Sequence, residues 1–151
     1  MAARTIRLLG DNILREKCQP VEIFDDQITN LLQDMLDTLH QTENGAALAA
    51  PQVGVLSRAI VIDLGKNPIF LVNPEIIERQ GRQKVTEGCL SIPGVWGKLI
   101  RPKKVKVKAF NEKGTEIFIT GEGELAKCLC HEIDHLDGIL FIDKVDSKVG
   151  Y

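Results

Sequence analysis

No apolar run in this chain approaches the roughly 18 residues that a membrane span needs, so no membrane association is expected. The N-terminus, "MAARTIRLLGDNILREK", is interrupted by charges and lacks the apolar stretch of a secretory signal. A surplus of either charge is missing too. Nineteen Lys and Arg against 21 Asp and Glu leave a net charge of −2, with no general attraction to nucleic acid or an anionic bilayer. Cysteines are few, and Cys18, Cys89, Cys128 and Cys130 follow no disulfide-framework spacing, so a reducing cytoplasm is the expected setting. Repeats, low-complexity tracts and linkers are absent, and residues 1–151 are expected to form a single domain with its own core. Histidine is scarce at three residues, and two of them, His131 and His135, fall within "CLCHEIDHLDG".

"DDQITNLLQDMLDTLHQTENG" reads as an amphipathic helix. Ile28, Leu31, Leu32, Met35, Leu36 and Leu39 recur at helical steps, Asp25 or Asp26 can cap the start, and Asn44-Gly45 can stop it. "GAALAAPQVGV" reads as a close-packed loop whose small residues let a backbone or ligand approach. "RAIVIDL" and "IFLVNPEIIERQ" are β-branched runs expected as strands. "KKVKVKAFNEKGTEIFIT" reads as a hairpin turning at Asn111 to Gly114, its lysines forming a solvated face. A last helix is expected over about Glu122 to Asp137, ending at Gly138. Strands without regular βαβ alternation imply an α+β fold with mainly antiparallel sheet. Leu125, Leu129, Ile133 and Leu136 cover one side of the last helix and His131, Glu132 and His135 an adjoining side, so the histidines sit on a buried helix.

In H-E-x-x-H two imidazoles share a helical face and can hold one cation, with the glutamate beside it as general base. A chance pair of buried histidines is the bland alternative. A catalytic site needs a third protein ligand. Phe141 stands where an extended motif would place a third histidine, no glutamate follows Glu132, and His40 lies among polar neighbours. Cys130 points away from the histidine face, and Cys128 is too far along the axis to join both histidines without distortion. Cys18 has no supporting context. Cys89 remains, in a stretch "EGCLSIPG" that reads as a loop, with Gly88 allowing close backbone approach and the Leu90 N–H able to face a substrate.

"GAALAAPQVG", "EGCLSIPG" and "HEIDHLDG", in that order, resemble the three signature motifs of the peptide deformylases. The resemblance implies antiparallel β-sheets packed around a central α-helix carrying the H-E-x-x-H motif. It implies a metal-dependent hydrolase that removes the N-terminal formyl group from formyl-methionine of newly synthesised proteins, releasing formate. It makes Cys89, His131 and His135 the metal ligands and Glu132 the acid/base, with Gln52 and the Leu90 N–H binding the formyl oxygen. Gly45, Ala46, Ala47 and Gly88 become substrate-binding positions. One divalent ion per chain is expected, Fe²⁺ before Zn²⁺, with Ni²⁺ or Co²⁺ also accepted.

The resemblance also suggests that Glu87 pairs with Arg101. Ala47 stands where a second glycine is common, Cys130 where glutamine is frequent, and Trp96 where some relatives carry a polar residue at the pocket rim. Formyl-methionyl nascent polypeptides are the expected partners. The short segment after Leu140 leads to an expectation of at most weak, salt-sensitive association with the ribosome. Two rival readings are a structural metal site, which normally takes four protein ligands, and a hydrolase for another N-acyl peptide.

Overall fold

A computed structural model describes residues 3–145 and 147–148. Helices α1 (Asp26–His40) and α2 (Glu124–Leu136) accompany eight strands. These are β1 (Ala47–Ala49), β2 (Ala59–Ile62), β3 (Ile69–Gln80), β4 (Gln83–Cys89), β5 (Ile92–Arg101), β6 (Lys104–Phe110), β7 (Glu116–Glu122) and β8 (Ser147–Lys148). The named strands pair antiparallel throughout, in a five-stranded sheet ordered β1-β2-β3-β6-β7 and a three-stranded sheet ordered β4-β5-β8. The class is α+β, as expected.

Burial explains where each element lies. The Asp25 carboxylate accepts the Gln27 N–H and caps α1. Ile28, Leu31, Leu32, Met35 and Leu39 then pack against Leu48, Ala59, Val61 and Val72. Strand β2 is buried at all four positions because both its faces are covered: Ala59 and Val61 meet α1, while Ile60 and Ile62 belong to the core built on α2. Strand β6 instead alternates. Val105, Val107 and Ala109 are buried, and Lys104, Lys106 and Lys108 lie on the wet face opposite Glu122, Glu78 and Glu116.

Helix α2 is the centre. Ala126, Leu129, Ile133 and Leu136 pack on the five-stranded sheet, and the β4–β5 hairpin lies across the helix from that sheet. The helix ends in a Schellman motif, with the Gly138 N–H on the His135 carbonyl at 3.1 Å and the Ile139 N–H on the Asp134 carbonyl at 3.0 Å. Gly138 has φ +75°, and a Cβ there would meet the Arg15 carbonyl oxygen at 2.5 Å, so only glycine closes the helix in this way.

Four expectations need correction. Helix α1 ends at His40, before Asn44-Gly45, because the Thr42 hydroxyl takes the Leu39 carbonyl at 2.7 Å. The segment read as a loop at "GAALAAPQVGV" contains strand β1, zippered onto Ile60–Ile62, followed by a 3₁₀ turn at Ala50–Val53. "EGCLSIPG", also read as a loop, is a hairpin in which Cys89 pairs with Ile92 across the two residues Leu90 and Ser91. The last helix starts at Glu124, since Glu122 closes β7. The tail that carried the ribosome expectation lies in part outside the described residues.

Candidate active site

Strand β4, the turn after β1 and helix α2 converge on one cavity of about 530 Å³. Cys89 enters from the last residue of β4, His131 and His135 from successive turns of α2, and Gln52 from the 3₁₀ turn. One ligand atom from each of Cys89, His131 and His135 lies within 4.8 Å of the other two. Cys89 Sγ is 3.3 Å from His135 Nε2. His131 Nδ1 donates to Glu87 Oε1 at 2.7 Å, so that Nε2 is the nitrogen that carries the lone pair whenever the ring gives up its second proton, and Phe141 stacks on that ring with centroids 6.0 Å apart. Glu132 is buried beside them, and its Oε1 has no hydrogen-bond partner among the described residues.

The electrostatics favour positive charge at the centre. Burial opposes a charged His131, but Glu132, Cys89 and Glu87 around it outweigh burial and hold its pKa well above the ordinary imidazole value. Burial, aided by the charge of His131, pushes His135 down to about 3, so it offers a neutral ring. Burial pushes the Glu132 carboxyl up to about 7. One thiol and two imidazoles, gathered where the surroundings attract a cation, fit a divalent metal. The orphaned Oε1 of Glu132 fits a water or substrate group next to it.

A sequence model described as polypeptide deformylase matches residues 3–150. The chain belongs to the polypeptide deformylase family. Its activity is hydrolytic removal of the N-terminal formyl group from new polypeptides. Peptide deformylase 2 of Clostridium acetobutylicum is 64% identical over 149 residues, covering 99% of both chains. The crystal structure of a Legionella pneumophila peptide deformylase superposes with a TM-score of 0.93 at 47% identity, covering 96% of this chain and 87% of that one. That of the Thermotoga maritima peptide deformylase does so at 0.93 and 37% identity, covering 97% and 100%.

In this deformylase the expected site residues come together. Gly45, Ala46, Ala47, Gln52, Gly88, Cys89, Leu90, His131 and Glu132 all line the cavity, and His135 is buried beneath it. Trp96 also lines it, 49% exposed, with its ring so close over Gly88 that a Cβ there would meet Cζ3 at 2.5 Å. Among the described residues His40 and Cys18 lie outside the cavity lining, His40 pairing with Asp63 at 2.7 Å. Cys128 does line the cavity, and Cys130 is a buried packing residue. The suggested Glu87–Arg101 pair is present, bidentate at 2.7 and 2.9 Å and buried.

Three participants went unforeseen. Ser91 accepts the Gln52 amide at 3.1 Å, Phe141 stacks on His131, and Asp134 reaches Arg101 at 2.7 Å. Ser91 lies inside a quoted motif and could have been noticed. The other two contacts depend on chain crossings that no local pattern reveals.

Proposed function

We propose that Cys89, His131 and His135 hold one divalent metal, and that Glu132, Gln52 and the Leu90 N–H carry the hydrolysis of N-formyl-methionyl polypeptides. The observation that carries this reading is the Cys-His-His cluster within 4.8 Å beside the unpartnered Oε1 of Glu132. Three protein ligands, rather than four, favour a catalytic over a closed structural site. Bound there, a divalent ion supplies Lewis acidity, acidifying a water toward neutrality and polarising the formyl carbonyl.

The chain's own groups do the rest. Glu132 accepts the proton of the attacking water at Oε1 as the new C–O bond forms at the formyl carbon. As the C–N bond breaks, the same carboxyl returns the proton to the amine, and formate leaves. Negative charge that grows on the formyl oxygen is met by the Gln52 amide and the Leu90 N–H. Gln52 is held ready: its Oε1 accepts the Ala49 N–H at 2.9 Å, which aims Nε2 toward Cys89 and Ser91. Gly45, Ala46, Ala47 and Gly88 present a wall of small residues on which the substrate backbone can lie.

Fe²⁺ is the first choice of metal and Zn²⁺ the second, with Ni²⁺ and Co²⁺ also fitting a thiolate–imidazole set. The cytoplasm is the setting, and ribosome association is at most weak.

The test compares formyl-Met and acetyl-Met peptides with protein purified without oxygen, alongside metal analysis of Cys89→Ala. Turnover of the formyl peptide with one metal per chain, lost in the variant, is the expected result. Unchanged metal content in Cys89→Ala would overturn the ligand set, and preference for the acetyl peptide would overturn the substrate.

A further inference from the structure

Asp134 does not line the cavity, yet its contacts lead back to the site. Arg101 is only 3% exposed, and its planar guanidinium bridges two carboxylates. Nε and Nη2 donate to Glu87 at 2.7 and 2.9 Å, while Nη1 donates to Asp134 Oδ2 at 2.7 Å. Glu87 Oε1 accepts the Nδ1–H of His131 at 2.7 Å, so the same oxygen serves Arg101 and the imidazole. On its outer side Asp134 Oδ2 meets Lys144 Nζ at 3.1 Å. A continuous chain of charge-assisted contacts therefore runs from Lys144 through Asp134, Arg101 and Glu87 to His131.

We propose that Asp134 is a positioning residue for the metal centre, which it governs by holding Arg101 and, through Arg101, Glu87 and the ring of His131. This rests on the reading of Cys89, His131 and His135 as the metal ligands.

Two physical effects converge. The first is geometric. A guanidinium clamped at both ends cannot pivot, so Glu87 keeps one orientation and its oxygen stays where it fixes the His131 ring and tautomer. Released from Asp134, Arg101 keeps its two bonds to Glu87 but loses the contact that stops the pair from rocking together. The second effect is charge. Glu87 and Asp134 balance Arg101 and Lys144, so the ring donates its hydrogen bond into a cluster of zero net charge. Neutralising Asp134 leaves an excess positive charge, little screened by salt because Arg101 is buried, next to a place that must hold a cation.

The experiment uses Co²⁺-loaded protein and follows release of Co²⁺ into excess chelator, together with the visible spectrum of the bound ion. Asp134→Asn keeps the shape of the side chain. It is expected to release Co²⁺ about 10-fold faster or more, within the roughly 10–100-fold typical for partners of ligating histidines, and to shift the spectrum. Arg101→Lys keeps the charge but cannot bridge both carboxylates, and it is expected to act in the same direction. A residue needed only for folding would lower the melting temperature of the metal-free protein and leave the release rate alone.

If both variants released Co²⁺ at the parent rate while Cys89→Ala failed to retain it, the positioning role would be wrong and the ligand set intact. If Cys89→Ala held Co²⁺ as the parent does, the ligand reading itself would fall. Should Asp134→Asn not fold, Arg101→Lys decides the matter by the same release rate.

Discussion

Gln52 Nε2 stands 3.1 Å from Ser91 Oγ and 3.5 Å from Cys89 Sγ, so one buried amide ties the 3₁₀ turn to both ends of the facing hairpin turn. The hydroxyl of Ser91 thereby sets the direction of the donor proposed to meet the formyl oxygen. Replacing Ser91 with Ala removes one hydrogen bond worth about 1 kcal/mol, a factor of about 5. The expected outcome is a kcat lower by about that factor with KM and metal content nearly unchanged. Steady-state kinetics on a formyl-Met peptide would show it, and a change confined to KM would count against the assignment.

Glu132→Gln keeps the size of the side chain but cannot accept a proton from water. Oε1 has no hydrogen-bond partner among the described residues, so the amide breaks no hydrogen bond at that atom. Metal content and melting temperature are expected to stay close to the parent while kcat falls by about 10²–10⁴. Turnover near the parent value would make Glu132 a structural residue.

Burial raises the Glu87 carboxyl, but hydrogen bonds from Arg101 and His131 outweigh it and hold the pKa at about 2, below the usual 4.5. The folded value is depressed, so the stabilisation is complete above the unfolded pKa and is lost as pH falls from 4.5 toward about 2. The 2.5-unit gap corresponds to about 3 kcal/mol. Melting of the metal-free protein should therefore drop steeply across that window. Glu87→Gln should be less stable at neutral pH and show a flatter acid limb; an acid limb identical to the parent's would refute the linkage.

Gly88→Ala drives a methyl group into the Trp96 ring, which a Cβ would meet at 2.5 Å. Overpacking of this kind costs about 1–3 kcal/mol unless the ring swings away. The single variant should melt lower or bind substrate more weakly, and adding Trp96→Ala should recover most of the loss. Additive losses in the double variant would show that the two residues do not collide.

The helices and the β6–β7 hairpin were legible because their periodicity is strong and their solvent-facing positions are charged. Strands β4 and β5 were not, since Gly88, Gly94 and Gly97 interrupt them and their partners are each other rather than a buried run. Strand β1 was hidden for a related reason: Ala47, Leu48 and Ala49 have little strand preference, and β2 imposes their conformation from outside. At the site, residue types and spacing were enough to nominate Cys89, His131, Glu132 and His135. The contacts of Phe141 with His131 and of Asp134 with Arg101 arise only when β5, α2 and the 3₁₀ turn Phe141–Asp143 close on one another.

The two-residue turn between β4 and β5 has an evolutionary corollary. Cys89, Leu90 and Ser91 are consecutive, and each does something different: a thiol at the cluster, a cavity-lining residue whose N–H is proposed to meet the formyl oxygen, and a hydroxyl on Gln52. One inserted or deleted residue would shift the strand register and turn alternate side chains to the opposite face, displacing all three at once. The Asn111–Thr115 turn, none of whose residues lines the cavity, carries no such burden. Length variation during descent should therefore gather at that distal turn, while the short one stays the same size whatever its flanking side chains become.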